Sequence, residues 1–311
     1  MEFETSEKIF ASWWIRSLAF IAIATILSIG FYIIDAVTFG TNLTFKIGFG
    51  SDLLRLIGLV IDLMLMLCFL ALSYLIDIFR VGSKPFSFGL LITPNTKKDI
   101  KIGELICLVG FSAVILISLI FSNKITFGFQ VGFVSFILTT FYILIGAILE
   151  ELIFRGIVFQ ALLDRFGVGK AIFISSIVFA IGHFLNPNLS TIGFVNIIIG
   201  GVLLSVMFIR TRSLWLVISF HFTWNWLQAF IMGSPVSGNN FGISLISLDF
   251  YNLPSWLFGG AFGIEGGILS TCILITSVWF VISKTEVSPF VSALNYKRKY
   301  FESIIQAKKI I

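Results

Sequence analysis

Charged residues are scarce in this chain of 311 residues. Only 12% of the residues are Asp, Glu, Lys or Arg, whereas 58% are hydrophobic and the mean hydropathy is +1.04. A soluble globular protein usually carries about 25% charged residues, so the composition excludes an ordinary soluble domain. Apolar runs of about 20 residues recur along the sequence, and this is the length that a helix needs to cross a bilayer. We therefore predict a multi-pass protein of the cell membrane.

Cysteine is also rare, and basic residues do not gather on one face. Cys68, Cys107 and Cys272 lie inside apolar runs without CxxC spacing, so we expect them to act as small hydrophobic residues. The net charge is +5, but the Lys and Arg residues lie in short loops and in the tail. In a membrane protein that distribution sets orientation. We expect the lipid bilayer as a partner, and no nucleic acid.

The apolar runs predict an all-α fold, a polytopic transmembrane bundle of about eight helices that forms one membrane-embedded domain over residues 1–311. Basic residues are frequent at the N-terminal flank, in the polar loop 80–101 and near residues 166 and 211, and rare in the alternate loops. Both termini are therefore predicted to be cytoplasmic, with 284–311 as a basic cytoplasmic tail. The predicted segments, with ends uncertain by about 2–4 residues, are 15–38, 54–79, 102–122, 132–165, 168–186, 190–209, 213–232 and 262–283.

Three charged residues interrupt the fourth segment in the stretch "ILEELIFRG", residues 148–156. A charge inside a bilayer costs at least about 2.5–3.5 kcal/mol and is usually paired and functional. Glu151 and Arg155 are four residues apart, so they share a helical face and can form an ion pair. Glu150 is rotated by about 100° from Glu151 on a helix. We predict that Glu151 is neutralised by Arg155 and that Glu150 is free for chemistry.

Both histidines of the chain also lie in apolar segments, His183 at the end of "FAIGH" and His221 at the start of "HFTWN". His221 and Asn225 are four residues apart and share a helical face. Measured from the turn near residue 167, Glu150 and His183 both lie roughly 25 Å along their helices. His221 and Asn225 lie roughly 14 and 20 Å from Arg212, a difference that helix tilt can absorb. We expect the four side chains to face one cavity.

Two kinds of hydrolysis suit such a group of residues. A carboxylate beside histidines can act as general base on water, while histidine and asparagine donors stabilise the oxyanion of a tetrahedral intermediate. Alternatively, Glu150, His183 and His221 are a two-histidine, one-carboxylate set that can bind catalytic zinc. Neither histidine has a serine or cysteine beside it in a recognisable nucleophile motif, which disfavours covalent catalysis.

The stretches "EELIFRG", "FAIGH" and "HFTWN" resemble the EExxxR, FxxxH and HxxxN signatures of the CPBP family, also called Abi, which contains CAAX proteases and bacteriocin-processing enzymes. Their order and spacing match, and the resemblance covers about residues 130–230, the expected catalytic core. It implies an intramembrane endopeptidase. Eukaryotic and archaeal members cleave the last three residues from prenylated CAAX proteins.

The resemblance also implies a role for each motif residue. Glu150 would activate water with the assistance of His183, and His221 and Asn225 would bind the oxyanion, with Glu151 and Arg155 completing the first motif. Family members have been described both as metalloproteases and as glutamate-dependent enzymes without a metal. We favour the mechanism that requires no cofactor, because Asn225 suits an oxyanion donor better than a zinc ligand. Zinc is the alternative.

Three functions are consistent with these features. The leading one is a protease that acts on a membrane-associated peptide or protein, such as a prenylated tail or a bacteriocin precursor. The second is a non-proteolytic membrane scaffold or bacteriocin-immunity protein on the same fold. The third, a transporter with an ionisable relay, would show internal repeats or broken helices at the bilayer midplane, and the sequence shows neither.

Overall fold

The structure of this chain is a computed structural model that describes most of its middle and C-terminal parts. The described residues are 89–121, 125–127, 132–242, 244–248 and 253–289, together with 56, 60, 63, 64 and 67. The predicted segment 15–38, most of 54–79 and both termini lie outside them. The total of eight helices, the single domain over 1–311, the tail 284–311 and the cytoplasmic termini therefore stay predictions.

Helices account for most of the described residues, which agrees with the predicted fold class. The helix α2 continues into α3 through a π-helix, Leu152–Phe159, and α6 continues as a second π-helix, Leu227–Met232. The eight α-helices of the described part are α1 (Thr96–Phe121), α2 (Phe133–Glu151), α3 (Gln160–Phe166), α4 (Val168–Gly182), α5 (Thr191–Thr211), α6 (Leu214–Trp226), α7 (Ser255–Phe258) and α8 (Ile268–Lys284).

Short non-α elements complete the described part. Two strands that the sequence did not predict, β1 (Ile125–Phe127) and β2 (Ile246–Leu248), pair antiparallel. Two 3₁₀ turns, Gly260–Phe262 and Ile264–Gly266, lead into α8, so the predicted segment 262–283 begins six residues too early.

Two predicted boundaries are wrong in ways that affect the site. Helix α1 begins at Thr96, so the last six residues of the predicted loop 80–101 are helical. Thr96 accepts a hydrogen bond from the Thr93 N–H at 2.9 Å, and Asp99 in the first turn favours the helix dipole. Helix α4 ends at Gly182 instead of 186, so His183 is its cap and an irregular loop follows.

Three helical stretches of the described part are long and apolar enough to cross a membrane: Thr96–Phe121, Phe133–Phe159 and Thr191–Thr211. Two shorter apolar helices, Val168–Gly182 and Ile268–Lys284, stand beside them. Large apolar side chains point outward, including Ile120 at 78% exposure and Phe133 at 79%. Hydrophobic surface on this scale suits lipid instead of water, so the prediction of a membrane protein is supported.

Small residues let the helices approach closely, as is typical of membrane bundles. A Cβ added to Gly103 of α1 would lie 2.1 Å from Ser219 Oγ of α6, and Cys107 donates to the Phe220 carbonyl at 3.1 Å. A Cβ added to Gly201 of α5 would lie 2.9 Å from Ser176 Cα of α4. Helix α6 is therefore held against α1, and α5 against α4.

Candidate active site

The first motif lies where α2 ends. Glu150 and Glu151 are its last two residues, and the backbone widens into the π-helix from Leu152 onward. Short π-helical stretches are frequent at functional sites. Arg155, inside the π-helix, places Nη1 3.0 Å from Glu151 Oε1, which is the ion pair that the spacing predicts.

The Glu151–Arg155 pair is sealed inside the protein. The exposed fractions of the two side chains are 0% and 1%. Arg155 Nη2 donates to the Gly201 carbonyl of α5 at 3.4 Å, and its guanidinium carbon lies 4.3 Å from the centre of the Phe179 ring. The buried charges therefore compensate each other, and the aromatic face adds a favourable cation–π contact.

His183 caps α4 and is anchored to that helix. Its Nδ1 lies 2.8 Å from the Phe179 carbonyl oxygen. A carbonyl only accepts hydrogen bonds, so Nδ1 carries the proton and the other ring nitrogen of a neutral imidazole has a free lone pair. That nitrogen, Nε2, lies 3.8 Å from Glu150 Oε2. The turn at the end of α4 thus aims His183 at Glu150.

His221 joins the two glutamates. Its Nδ1 lies 2.7 Å from Glu151 Oε1, and its Nε2 lies 3.9 Å from Glu150 Oε2. The first contact is additional to the interpretation drawn from the spacing, which pairs Glu151 with Arg155 and places His221 beside Glu150. Because a carboxylate accepts, the proton again lies on Nδ1.

When both imidazoles are neutral, three acceptor atoms surround one point: Glu150 Oε2, His183 Nε2 and His221 Nε2. The separations of 3.8 and 3.9 Å exceed hydrogen-bond distance. Glu150 Oε2 is buried and has no hydrogen-bond partner among the described residues, although the side chain as a whole is 37% exposed. Acceptors that face each other require a donor or a cation between them. A water molecule or a metal ion would fulfil that requirement.

Asn225 lies one turn after His221 on α6, as the spacing predicts. Its side chain is half-buried and makes no hydrogen bond within the described part of the chain. Its amide is therefore available to donate to a bound group on the side of α6 that carries His221.

One hydrogen bond explains the unequal depths estimated from the sequence. Arg212, in the turn between α5 and α6, donates to Gln160 Oε1 at 2.8 Å. The α5–α6 turn is therefore level with Gln160 and not with the turn near residue 167. Glu150 lies ten residues before Gln160 and His221 nine residues after Arg212, so the two residues are separated from this hydrogen bond by nearly equal numbers of residues.

The fit to zinc is mixed. The described residues contain no group of three or more His, Cys, Asp or Glu that is placed to hold a metal ion. Tetrahedral ligands about 2.1 Å from zinc lie about 3.4 Å apart, which is closer than the observed 3.8 and 3.9 Å. The donor types do fit, because Nδ1 of each imidazole is fixed by an oxygen acceptor, as in metal-bound histidines.

Residues 131–227 match the family model described as type II CAAX prenyl endopeptidase Rce1-like. The resemblance seen in the motifs is confirmed over this segment. The Rce1-like segment contains Glu150, His183, His221 and Asn225 and ends before Gln228. No curated protein and no solved structure matches the chain.

Sequence reasoning missed one polar centre beside the Rce1-like segment. Glu265, just before α8, accepts hydrogen bonds from Trp224, Gln228 and Ser237. Asn196 of α5 also bonds to this residue, because its side-chain amide donates to the Glu265 carbonyl at 2.7 Å. Glu265 belongs to no motif, and only the folded contacts reveal it.

Proposed function

We propose that this protein is an intramembrane endopeptidase that hydrolyses a peptide bond with water activated by Glu150. The match of residues 131–227 to type II CAAX prenyl endopeptidases supports a protease. The observation that carries the proposal is the convergence of two imidazole Nε2 atoms on one carboxylate oxygen, at 3.8 and 3.9 Å. A water molecule bound there would have Glu150 as a base on one side and the His183 Nε2 acceptor, which orients it, on the other.

The proposed reaction begins with proton transfer from that water to Glu150, which acts as general base. The water oxygen bonds to the carbonyl carbon of the substrate, and the carbonyl oxygen becomes an oxyanion. Glu150 then gives its proton to the amine nitrogen as the C–N bond breaks. His183 Nε2 accepts a hydrogen bond from the water and orients it.

Asn225 and His221 are the proposed oxyanion donors. Asn225 has an uncommitted amide, as described above. His221 already donates from Nδ1 to Glu151, so its Nε2 donates only when the ring is protonated. The Glu151 carboxylate, 2.7 Å away, compensates the imidazolium charge. With His221 protonated, the formal charges of Glu150, Glu151, Arg155 and His221 sum to zero.

In the metalloprotease alternative, Glu150, His183 and His221 would hold zinc, which polarises the substrate carbonyl and makes bound water more acidic. Asn225 and Glu151 would keep the roles of donor and of anchor for His221.

The proposed substrate is a membrane-associated peptide or protein. The family description favours a prenylated CAAX-type tail as the substrate. A bacteriocin-related precursor is the alternative. The catalytic residues lie among helices that are long and apolar enough to cross a membrane, so a substrate anchored in the bilayer would reach them by lateral diffusion.

Comparative proteomics of protein termini tests this function without assuming a substrate. Membranes that contain wild type, Glu150→Gln or the control Glu104→Gln are compared, since Glu104 is exposed on α1 far along the chain from the motifs. We expect a set of new termini in wild type and Glu104→Gln that is absent in Glu150→Gln. If the termini are identical in all three membranes and cells with Glu150→Gln keep the phenotype of cells with wild type, a scaffold or immunity protein is favoured instead.

A further inference from the structure

Glu265 collects four hydrogen bonds with its carboxylate. Oε1 accepts from Trp224 Nε1 and from Gln228 Nε2, both at 2.9 Å. Oε2 accepts from the Ser237 N–H at 2.9 Å and from its hydroxyl at 2.6 Å. Charge-assisted hydrogen bonds to a carboxylate are about twice as strong as neutral ones. Glu265 is therefore a strong junction between separate segments.

The Oε1 side of this junction fixes α6 at the third motif. Trp224 and Gln228 are four residues apart, so both bonds act on one face of the helix. Gln228 is fully buried, and the Trp224 ring stacks on Phe220 with its centre 6.0 Å away. Asn225 directly follows Trp224. The two hydrogen bonds and the stacked ring fix the rotation of α6 about its axis. They thereby also fix the direction of the Asn225 amide.

The Oε2 side fixes a tight turn beside the other histidine. Val236 and Asn239 pair across the turn, and its central residues Ser237 and Gly238 have φ of +47° and +86°. A serine in this left-handed region is strained, and both of its donors bond to Glu265. The Ser237 carbonyl accepts from Asn186 Nδ2 at 3.0 Å, three residues after His183.

We infer that Glu265 is a positioning residue of the proposed endopeptidase. Its carboxylate connects the helix that carries His221 and Asn225 with the loop that follows His183, so the proposed oxyanion donors and the proposed water site keep a fixed separation. The inference rests on the proposed function. Glu265 lies outside the segment 131–227 that matches the family model, so neither the motifs nor that match assigns it a role.

A double-mutant cycle tests the inference with a farnesylated, internally quenched CAAX peptide as probe and protein in proteoliposomes. A misplacement of about 1 Å can cost about 100-fold in rate, so we expect Glu265→Gln to lower kcat by about 10–100-fold with KM nearly unchanged. His221 is anchored separately by Glu151 and His183 by the Phe179 carbonyl, so the loss of Glu265 should act on the rate through Asn225. In an Asn225→Ala background the same substitution should therefore change kcat by less than about 3-fold. A loss of kcat in the double variant equal to the product of the two single-variant losses would overturn the positioning role.

A matched pair on α6 separates positioning from general stability. Trp224→Phe removes the indole N–H bonded to Glu265 and keeps the stacked ring. Trp215→Phe removes an indole N–H bonded to the Leu90 carbonyl at 3.2 Å, at the other end of the same helix. We expect only Trp224→Phe to lower kcat, by about 10-fold. Equal losses in both variants would show that Glu265 contributes only to folding.

A second readout does not depend on cleavage. In protein labelled with 5-fluorotryptophan and embedded in nanodiscs, the fluorine signal of Trp224 is assigned by its loss in Trp224→Phe. Glu265→Gln should shift this signal and leave that of Trp215 in place. A Trp224 signal that does not move in Glu265→Gln would overturn the role of Glu265. If the signal moves but the wild-type protein cleaves no peptide, only the proposed function is overturned.

Discussion

His221 Nδ1 lies 2.7 Å from Glu151 Oε1, although the two residues are 70 positions apart in the chain. This contact turns the imidazole so that Nε2 faces Glu150, and it gives the buried Glu151 a second partner besides Arg155. The adjacent glutamates thereby differ in environment. Glu151 is enclosed with Arg155 and His221, while Glu150 has the more exposed carboxylate at the point where the histidines converge.

Removal of Arg155 should destabilise the protein. Arg155→Leu would leave Glu151 as a buried carboxylate without its compensating cation, and breaking a buried pair costs about 3–5 kcal/mol. We expect lower accumulation in membranes and a lower melting temperature in detergent. The double variant Glu151→Leu/Arg155→Leu, which removes both charges, should be less destabilised than Arg155→Leu. A melting temperature of Arg155→Leu equal to that of wild type would contradict the pairing.

Two adjacent glycines of α5 should respond differently to alanine. A Cβ at Gly201 would lie 2.9 Å from the Ser176 backbone, whereas one at Gly200 would meet nothing within 4 Å. Gly201→Ala should cost about 1–3 kcal/mol by overpacking the α4–α5 contact, and Gly200→Ala should gain up to about 1 kcal/mol of helix propensity. Denaturant melts of both variants test this packing. Equal stabilities would show that α4 and α5 are not in close contact at Gly201.

Chelation distinguishes the glutamate mechanism from the zinc alternative. If Glu150 activates water unaided, dialysis against a strong chelator should leave the peptidase rate within about 2-fold of the untreated value, since general-base catalysis needs no metal. Elemental analysis should then find no stoichiometric zinc in active protein. Loss of activity that added zinc alone restores would establish the metalloprotease alternative.

Local spacing allowed part of the fold and site to be predicted. The pair Glu151–Arg155 and the shared face of His221 and Asn225 follow from helical periodicity, and apolar runs located the described helices other than α7 to within several residues. Relationships between segments were not accessible in this way. The bond from His221 to Glu151, the Gln160–Arg212 contact that levels the helices, and the four donors of Glu265 each depend on how separate helices pack. The early end of α4 at Gly182 was missed because the apolar run continues through Phe184 and Leu185.

The rate at which purified protein cleaves the farnesylated CAAX peptide tests the central claim most directly, with wild type, Glu150→Gln and Glu104→Gln compared at equal folded concentration. General-base catalysis contributes about 10²–10⁴-fold. The account predicts that Glu150→Gln loses at least about 100-fold in kcat at an unchanged melting temperature, while Glu104→Gln matches wild type. Cleavage by Glu150→Gln at the wild-type rate would contradict it.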